Sequence, residues 1–184
     1  MAQGNKIISY NGQTSVDPTP DPDPDPDPDP TPDPTPGDAV DFAISNFPHG
    51  DDPNVTGNVS GAATFGGYTI TTETASGKTA PAINVYNGVP TLRLYANNTL
   101  TVKGASMAKI VFTINTATGA KRYTTFTPST GKLDPAQAAG DSSITWKGDA
   151  SDITFTVGAL GTLGTESTKP GQVHISKIEI YPVK

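Results

Sequence analysis

The sequence contains no cysteine, two methionines, two histidines and a single tryptophan. Disulfide bonds, thiolate catalysis and zinc–cysteine sites are therefore excluded. No stretch approaches the roughly 18 consecutive apolar residues of a membrane-spanning helix, so we expect no membrane insertion. The first residues also lack the apolar run of a secretory signal. We expect Met1 to be the native start of a chain that is not exported by the usual route; the alternative is that a signal was removed.

Charge is unevenly distributed along the chain. Residues 17–36 contain seven aspartates and no basic residue, whereas residues 37–184 contain eleven basic and eleven acidic residues. The formal net charge of -6 therefore arises from one short segment, and the rest of the chain is electrically balanced. A balanced domain offers no extended basic surface, so we expect no nucleic-acid partner.

The acidic segment at 17–36 has proline at every second position, DPTPDPDPDPDPDPTPDPTP. Proline fixes its own φ, donates no hydrogen bond and pushes the preceding residue toward extended conformations. The segment is therefore predicted to be a polyproline II arm of about 60 Å when fully extended. Regularly spaced aspartates repel one another but do not converge on one ion. A soluble spacer is thus favoured over an ion site or a ligand for a proline-reading domain.

The peptide before the arm, residues 1–16, is too short to form a core. It is either a disordered tail or an anchor peptide. In the anchor interpretation, a strand adds to the sheet edge of a partner or joins several copies together. The residues assigned to this strand are Lys6, Ile7, Ile8, Ser9 and Tyr10.

Residues 37–184 have the pattern of short β-strands separated by Gly, Pro, Asn, Asp and Ser. Apolar residues alternate with polar ones, as in Ile110, Phe112 and Ile114 or in Ile153, Phe155 and Val157. This period is typical of half-buried antiparallel strands. We predict an all-β domain, an antiparallel sandwich or jelly roll after an extended proline-rich stalk. The predicted strands are 40–45, 68–73, 82–87, 91–96, 99–103, 108–115, 122–127, 143–147, 152–157 and 172–181.

Several local features are also predicted. Asn97-Asn98 is expected to form a tight hairpin because Asn tolerates the left-handed conformation. Residues 147–151 are expected to form a longer hairpin. A change of period in the last strand predicts a bulge near Ser176-Lys177, and residues 134–139 are the one weak helical candidate.

Parts of this module resemble a known family. The segments LRLYANNTLTV, AKIVFTI, ITWKGDASDITFTV and VHISKIEIYP resemble the C-terminal jelly-roll module of surface lipoproteins from gut anaerobes, over roughly residues 65–183. That resemblance implies a carbohydrate-binding domain behind a proline-rich linker. The whole chain looks like a head fibre or decoration protein of crAss-like tailed phages. The second resemblance implies that the protein is located on a virion. It also implies that the N-terminus of this chain binds a capsid or other virion protein.

Glycan recognition uses aromatic rings as stacking platforms beside groups that form hydrogen bonds. Tyr95 and Arg93 have opposite parity to Leu92 and Leu94, which predicts that they face outward. Trp146 shares the parity of Ile144 and is therefore expected in the core, with a ligand contact as the alternative. The candidate glycan contacts are Tyr86, Arg93, Tyr95, Tyr123 and Trp146.

No catalytic motif is found, so the protein is predicted not to be an enzyme and to need no cofactor. His49 lies beside Asp51 and Asp52, but His174 is remote in sequence, so a loop is favoured there over a metal site. The leading hypothesis is a non-enzymatic virion surface protein that oligomerises and binds host or mucosal glycans. The alternatives are a carbohydrate-binding module at a bacterial cell surface and a purely structural domain.

Overall fold

The computed structural model describes residues 8–10, 13–15, 32–47, 57–59 and 62–184. The chain divides into two compact units, Met1–Thr31 and Pro32–Lys184. In the first unit, β1 (Ile8–Tyr10) pairs antiparallel with β2 (Gln13–Ser15), with Tyr10 opposite Gln13. Lys6, Ile7 and most of the predicted arm lie outside the described residues.

The second unit is built almost entirely of antiparallel strands, which confirms the predicted all-β class. Its helical residues form α1 (Thr116–Gly119) and two 3₁₀ turns, Ile44–Asn46 and Ala120–Arg122. The strands are β3 (Val40–Ala43), β4 (Gly57–Asn58), β5 (Ala62–Phe65), β6 (Tyr68–Glu73), β7 (Ala82–Tyr86), β8 (Val89–Tyr95), β9 (Thr99–Ile114), β10 (Phe126–Pro128), β11 (Lys132–Leu133), β12 (Ser143–Val157) and β13 (Gln172–Pro182).

Two long strands, β9 and β12, pair with each other along most of their length, and they lie in one sheet that contains the eleven described strands β3 to β13. The first part of β9 also pairs with β6, and its second part pairs with β13. The hairpin predicted at residues 147–151 is therefore wrong, because this segment continues β12 through two register shifts. Gly148 serves a close approach inside the strand and not a turn, because a Cβ there would lie 2.6 Å from the Trp146 ring.

Strand β13 pairs with β9 along one edge. Along its other edge, it pairs first with β8 and then with β3. Its pairing with β9 shifts register between Ile175 and Lys177. This shift confirms the predicted bulge. The bulge lets the apolar side chains on both sides of it face the core, and Val173, Ile175, Ile178 and Ile180 are all fully buried.

The core contains the apolar sets that the alternation predicts. Ile153, Phe155 and Val157 are fully buried, and so are Leu100 and Val102. At the centre, three phenylalanine rings pack with centroids 4.9–5.2 Å apart. Each such fully buried side chain contributes about 1.5–3 kcal/mol through the area that it removes from water. The three rings are Phe112, Phe126 and Phe155.

The turn between β8 and β9 contains the predicted left-handed asparagine, Asn97 with φ 65°. It is a tight turn but not a hairpin, because β8 pairs with β7 and β13 whereas β9 pairs with β6, β12 and β13. The buried Asn98 side chain holds the crossing in place. Its Oδ1 accepts from the Tyr95 amide at 2.8 Å, and its Nδ2 donates to the Thr79 carbonyl at 2.9 Å.

The helix predicted at 134–139 is wrong, and the strand predicted at 122–127 is shorter, at Phe126–Pro128. The two differences have one cause. The Gln137 side chain donates to the Thr124 carbonyl and accepts from the Phe126 amide, both at 2.9 Å. These bonds to a neighbouring backbone segment compete with a helical turn, which Pro135 also disfavours.

The second compact unit, Pro32–Lys184, includes the last five residues of the predicted arm. Residues 32–36 belong to the predicted arm but lie against the end of β13. Pro36 forms a β-bridge with Val183, and the Gly37 amide donates to the Pro182 carbonyl at 2.6 Å. The arm therefore joins the domain at the Pro182 end of β13.

Candidate ligand-binding cleft

The two faces of β8 have different chemistry. Leu92 and Leu94 are fully buried in the core, and Arg93 and Tyr95 lie on the opposite face. On β13, His174 is directly opposite Arg93, and Gln172 is directly opposite Tyr95. Side chains that face each other across an antiparallel pair share a face of the sheet. The register therefore brings four polar or aromatic side chains together.

Arg93 is held by two contacts. Its Nε donates to Nε2 of His174 at 3.1 Å, and its guanidinium lies over the Tyr95 ring, 5.5 Å from the centroid. These contacts hold the guanidinium in place before any ligand arrives. A side chain ordered in advance loses less conformational entropy on binding.

His174 is the buried centre of this group, with 1% of its surface exposed. Because Arg93 donates to Nε2, that nitrogen is an acceptor and the imidazole is neutral with its proton on Nδ1. Burial, reinforced by the positive charge of Arg93, lowers the pKa of His174 to about 4. Tyr86 stacks beside the imidazole at 6.2 Å between centroids, and the Gln172 amide oxygen lies 3.2 Å from Nε2.

A turn and a loop cover this face and leave a cleft of about 490 Å³. The last residue of α1, Gly119, lies directly on the imidazole, since a Cβ there would be 3.0 Å from His174 Cγ. The 3₁₀ turn Ala120–Arg122, directly after α1, holds the 158–171 loop. The Glu166 amide of this loop donates to the Lys121 carbonyl of the turn at 2.8 Å. Loop and turn thus form one wall, opposite Arg93 and Gln172.

The charged side chains that line the cleft are mainly basic. Arg93, Lys121 and Arg122 line it together with one carboxylate, Glu166, which gives 3 − 1 = +2 formal charges. Arg122 Nε lies 3.9 Å from Glu166 Oε2, at the limit of an ion pair. In the part of the chain that the structure describes, no carboxylate lies within ion-pair distance of Arg93 or Lys121. The cleft is therefore a local positive region of a neutral domain.

The structure separates the five candidate glycan contacts. Tyr86, Arg93 and Tyr95 are half-buried on one face and are linked through His174. Tyr123 is not an exposed contact, because only 2% of its surface is accessible, and burial raises its pKa to about 12. Trp146 is completely buried, and its Nε1 donates to the Thr130 carbonyl at 2.7 Å. Its parity with Ile144 thus predicts the core correctly, and a ligand contact is excluded.

Sequence reasoning missed His174, Gln172 and Glu166 as members of this site. A signal for the first two exists, because they alternate with the apolar Val173 and Ile175. Glu166 carries no such signal. It reaches the cleft only through the path of the 158–171 loop.

Two features are absent from the described residues, a metal-ligand cluster and a membrane-spanning helix. No group of three or more His, Asp or Glu side chains is arranged there to hold a metal ion, and His49 lies outside those residues. No described helix is long and apolar enough to cross a membrane.

Comparisons with protein-family models, with curated proteins and with solved structures give no match. The resemblance to lipoprotein modules and phage fibres therefore stays a hypothesis from the sequence motifs.

Proposed function

We propose that this protein is a non-enzymatic glycan adhesin, displayed as a β-sandwich on a stiff stalk at the surface of a virion. In this proposal it is a head fibre or capsid decoration protein. Residues 37–184 bind a host or mucosal glycan, the Asp-Pro segment projects them, and the peptide before it binds a capsid or other virion protein. Display in several copies, as a homo-oligomer or on many sites, adds avidity to weak single contacts.

The observation that carries the proposal is the placement of the cleft relative to the arm. Gln172 and His174 are at one end of β13, and at the other end Val183, directly after the strand, forms a β-bridge with Pro36 of the arm. Eight to ten strand residues at about 3.3 Å each separate the two ends by about 26–33 Å. A module that presents a ligand site away from its attachment point needs this arrangement.

The chemistry of the cleft supports a sugar as the ligand. Arg93 and Gln172 line the cleft and offer hydrogen-bonding groups. The half-buried rings of Tyr86 and Tyr95 lie next to this lining on the same face of the sheet, Tyr86 stacked on His174 and Tyr95 under Arg93. Aromatic faces stack on the apolar face of a sugar ring, and fixed polar groups select its hydroxyls.

The N-terminal part of the proposal rests on the sequence and on one pairing. Ile8, Ser9 and Tyr10 form β1, which pairs with β2 of the same chain. Strand addition to a capsid protein remains a prediction for the whole segment 6–10. In that mode, backbone hydrogen bonds supply affinity and alternate side chains supply specificity.

Two experiments test the proposal. Peptide mass spectrometry on density-purified phage particles, with host membranes analysed in parallel, is expected to find this chain in the particles. A glycan array probed with the full chain is expected to show binding that Arg93→Gln removes. As a control, Lys103→Gln removes an exposed charge on β9, outside the cleft, and is expected to bind like the unmodified protein.

The outcomes separate the alternatives. Detection only in membranes, with a lipidated cysteine encoded upstream, would overturn the virion location in favour of a bacterial surface module. Detection in particles without binding to any glycan would leave a purely structural decoration domain.

A further inference from the structure

We infer that the cleft selects an acidic sugar, with the carboxylate or sulfate of that sugar bound by Arg93 and Lys121. This inference rests on the proposed glycan-binding function and names the class of glycan. It follows from three properties of the cleft: the fixed guanidinium, the absence of a counter-ion for it among the described residues, and the single carboxylate at the rim.

The first property concerns the direction in which Arg93 can donate. Its Nε is occupied by His174, and its flat face by Tyr95. No described residue accepts a hydrogen bond from its terminal Nη groups. Two parallel N–H donors on those groups match the two oxygens of a carboxylate or sulfate, which a planar guanidinium binds end-on as a bidentate pair.

The second property is the missing counter-ion. A half-buried cation without a partner is unfavourable, because partial removal from water is not compensated by an opposite charge. Arg93 is half-buried, and neutral His174 supplies a lone pair but no negative charge. A bound anion would complete the site, whereas a neutral sugar would leave the guanidinium uncompensated.

The third property limits how many acidic groups the ligand carries. Glu166 lies at the rim and is tied to the wall by its amide and by Arg122. Its carboxylate can accept from sugar hydroxyls but repels a second anionic group. The cavity of about 490 Å³ lies within the roughly 300–1,000 Å³ of small-ligand sites. The site therefore suits one acidic sugar with neutral neighbours, and it does not suit a densely charged polyanion such as nucleic acid.

The chain itself contains a competing source of carboxylates, the aspartates of residues 17–31. The experiment must therefore distinguish an acidic sugar from an Asp-Pro peptide. Titration of the full chain with a synthetic (Asp-Pro)₅ peptide provides this comparison, and the peptide is also added as a competitor to the sugar titrations.

The experiment is isothermal titration of the full chain with pairs of neutral and acidic sugars, two of which differ only in the acidic group and the third in a whole acidic sugar unit. The pairs are galactose with galacturonic acid, galactose with galactose 6-sulfate, and a desialylated with a sialylated mucin oligosaccharide. We expect the acidic member of at least one pair to bind about 10- to 100-fold more tightly, the range for a charge-assisted bidentate contact. The carboxylate and sulfate arms show which anion is preferred.

Two variants assign the effect to the cleft. Arg93→Gln is expected to remove the difference between the acidic and neutral members. Lys121→Gln changes an exposed turn residue and so keeps the fold; it is expected to reduce the difference several-fold and make it less sensitive to salt. Lys103→Gln is the control with the same loss of charge elsewhere.

Each result bears on a separate claim. Equal binding of acidic and neutral sugars, reduced together by Arg93→Gln, would overturn the acidic class and keep the glycan function. Tighter binding of the Asp-Pro peptide than of every sugar would also overturn it and assign the cleft to the arm of this chain or of a second copy. Failure of all sugars and of the array would overturn both the acidic-sugar inference and the glycan-binding part of the proposed function, and the virion location would then be decided by the mass spectrometry alone.

Discussion

Trp146 and Arg93 are both candidates for sugar contact by residue type, and the structure gives them opposite roles. Trp146 is completely buried in the β12 half of the core, with its one donor satisfied by the Thr130 carbonyl. Arg93 is half-buried on the outer face of β8, with its guanidinium held by His174 and Tyr95. The first residue stabilises the fold, and the second has the role of a ligand contact in the proposed function.

The difference shows that the face of the sheet on which a side chain lies decides its role, and that the residue type matters only within that limit. Trp146 alternates with Ile144 toward the core, whereas Arg93 alternates against Leu92 and Leu94. A ring or a charge on the core side is used for packing. The same group on the outer side becomes a site only where a neighbouring strand adds partners, as β13 does here with His174 and Gln172.

The largest expected effect comes from Trp146→Ala. Removal of this fully buried ring leaves a cavity and an unpaired Thr130 carbonyl, which should cost about 3–5 kcal/mol of the free energy of unfolding. Arg93→Gln should change that free energy by less than about 1.5 kcal/mol while it removes ligand binding. Urea unfolding and sugar titration of both variants measure the contrast. Similar losses of stability in the two variants would contradict it.

The next effect is the pH dependence from His174. The folded protein holds its pKa near 4, below the ordinary value of 6.5, because burial and the Arg93 charge favour the neutral ring. The unfolded chain therefore takes up a proton first as pH falls. The stabilisation is fully present above pH 6.5 and is lost as pH falls to about 4, a change of about 3 kcal/mol.

His174→Gln isolates this contribution. Glutamine keeps an acceptor for Arg93 but does not titrate, and the aspartates and glutamates titrate alike in both proteins. The difference between the two free energies of unfolding should thus change by about 3 kcal/mol between pH 7 and pH 4. An unchanged difference would show that the pKa of His174 is the same in the folded and unfolded states.

The smallest expected effect is that of Tyr95→Leu. The substitution removes the aromatic face under the Arg93 guanidinium and keeps an apolar side chain of similar reach, so the expected loss of stability is about 0.5–1 kcal/mol. Ligand binding should weaken more than stability does, because the guanidinium becomes less well positioned. Tyr86→Leu, which alters the stack on His174, is the matched variant. Loss of binding without any change in salt dependence would argue that Tyr95 acts on the sugar and not through Arg93.

Much of the fold follows from local pattern, and the exceptions have physical reasons. Alternation is a property of one strand, so the buried set Ile153, Phe155 and Val157 is predictable without knowing its partners. A glycine inside a continuous strand and a glycine in a turn look alike in sequence. Gly148 therefore leads to a predicted hairpin at residues 147–151, where β12 continues. For the cleft, the pairing of Arg93 with His174 depends on a register between strands 81 residues apart, which alternation does not determine.

Strand β13 also has a mechanical consequence. A host surface bound at the Gln172 end and a particle attached through the arm at the Pro182 end would pull along the axis of this strand. Backbone hydrogen bonds between antiparallel strands lie across the strand axis. A force along β13 would therefore load the hydrogen bonds to β9, β8 and β3 together, in shear. These bonds would not break one after another, as they do when a strand is peeled from its neighbour. If the proposed function holds, the ligand is expected to detach under traction before the domain unfolds, and the same domain then binds again.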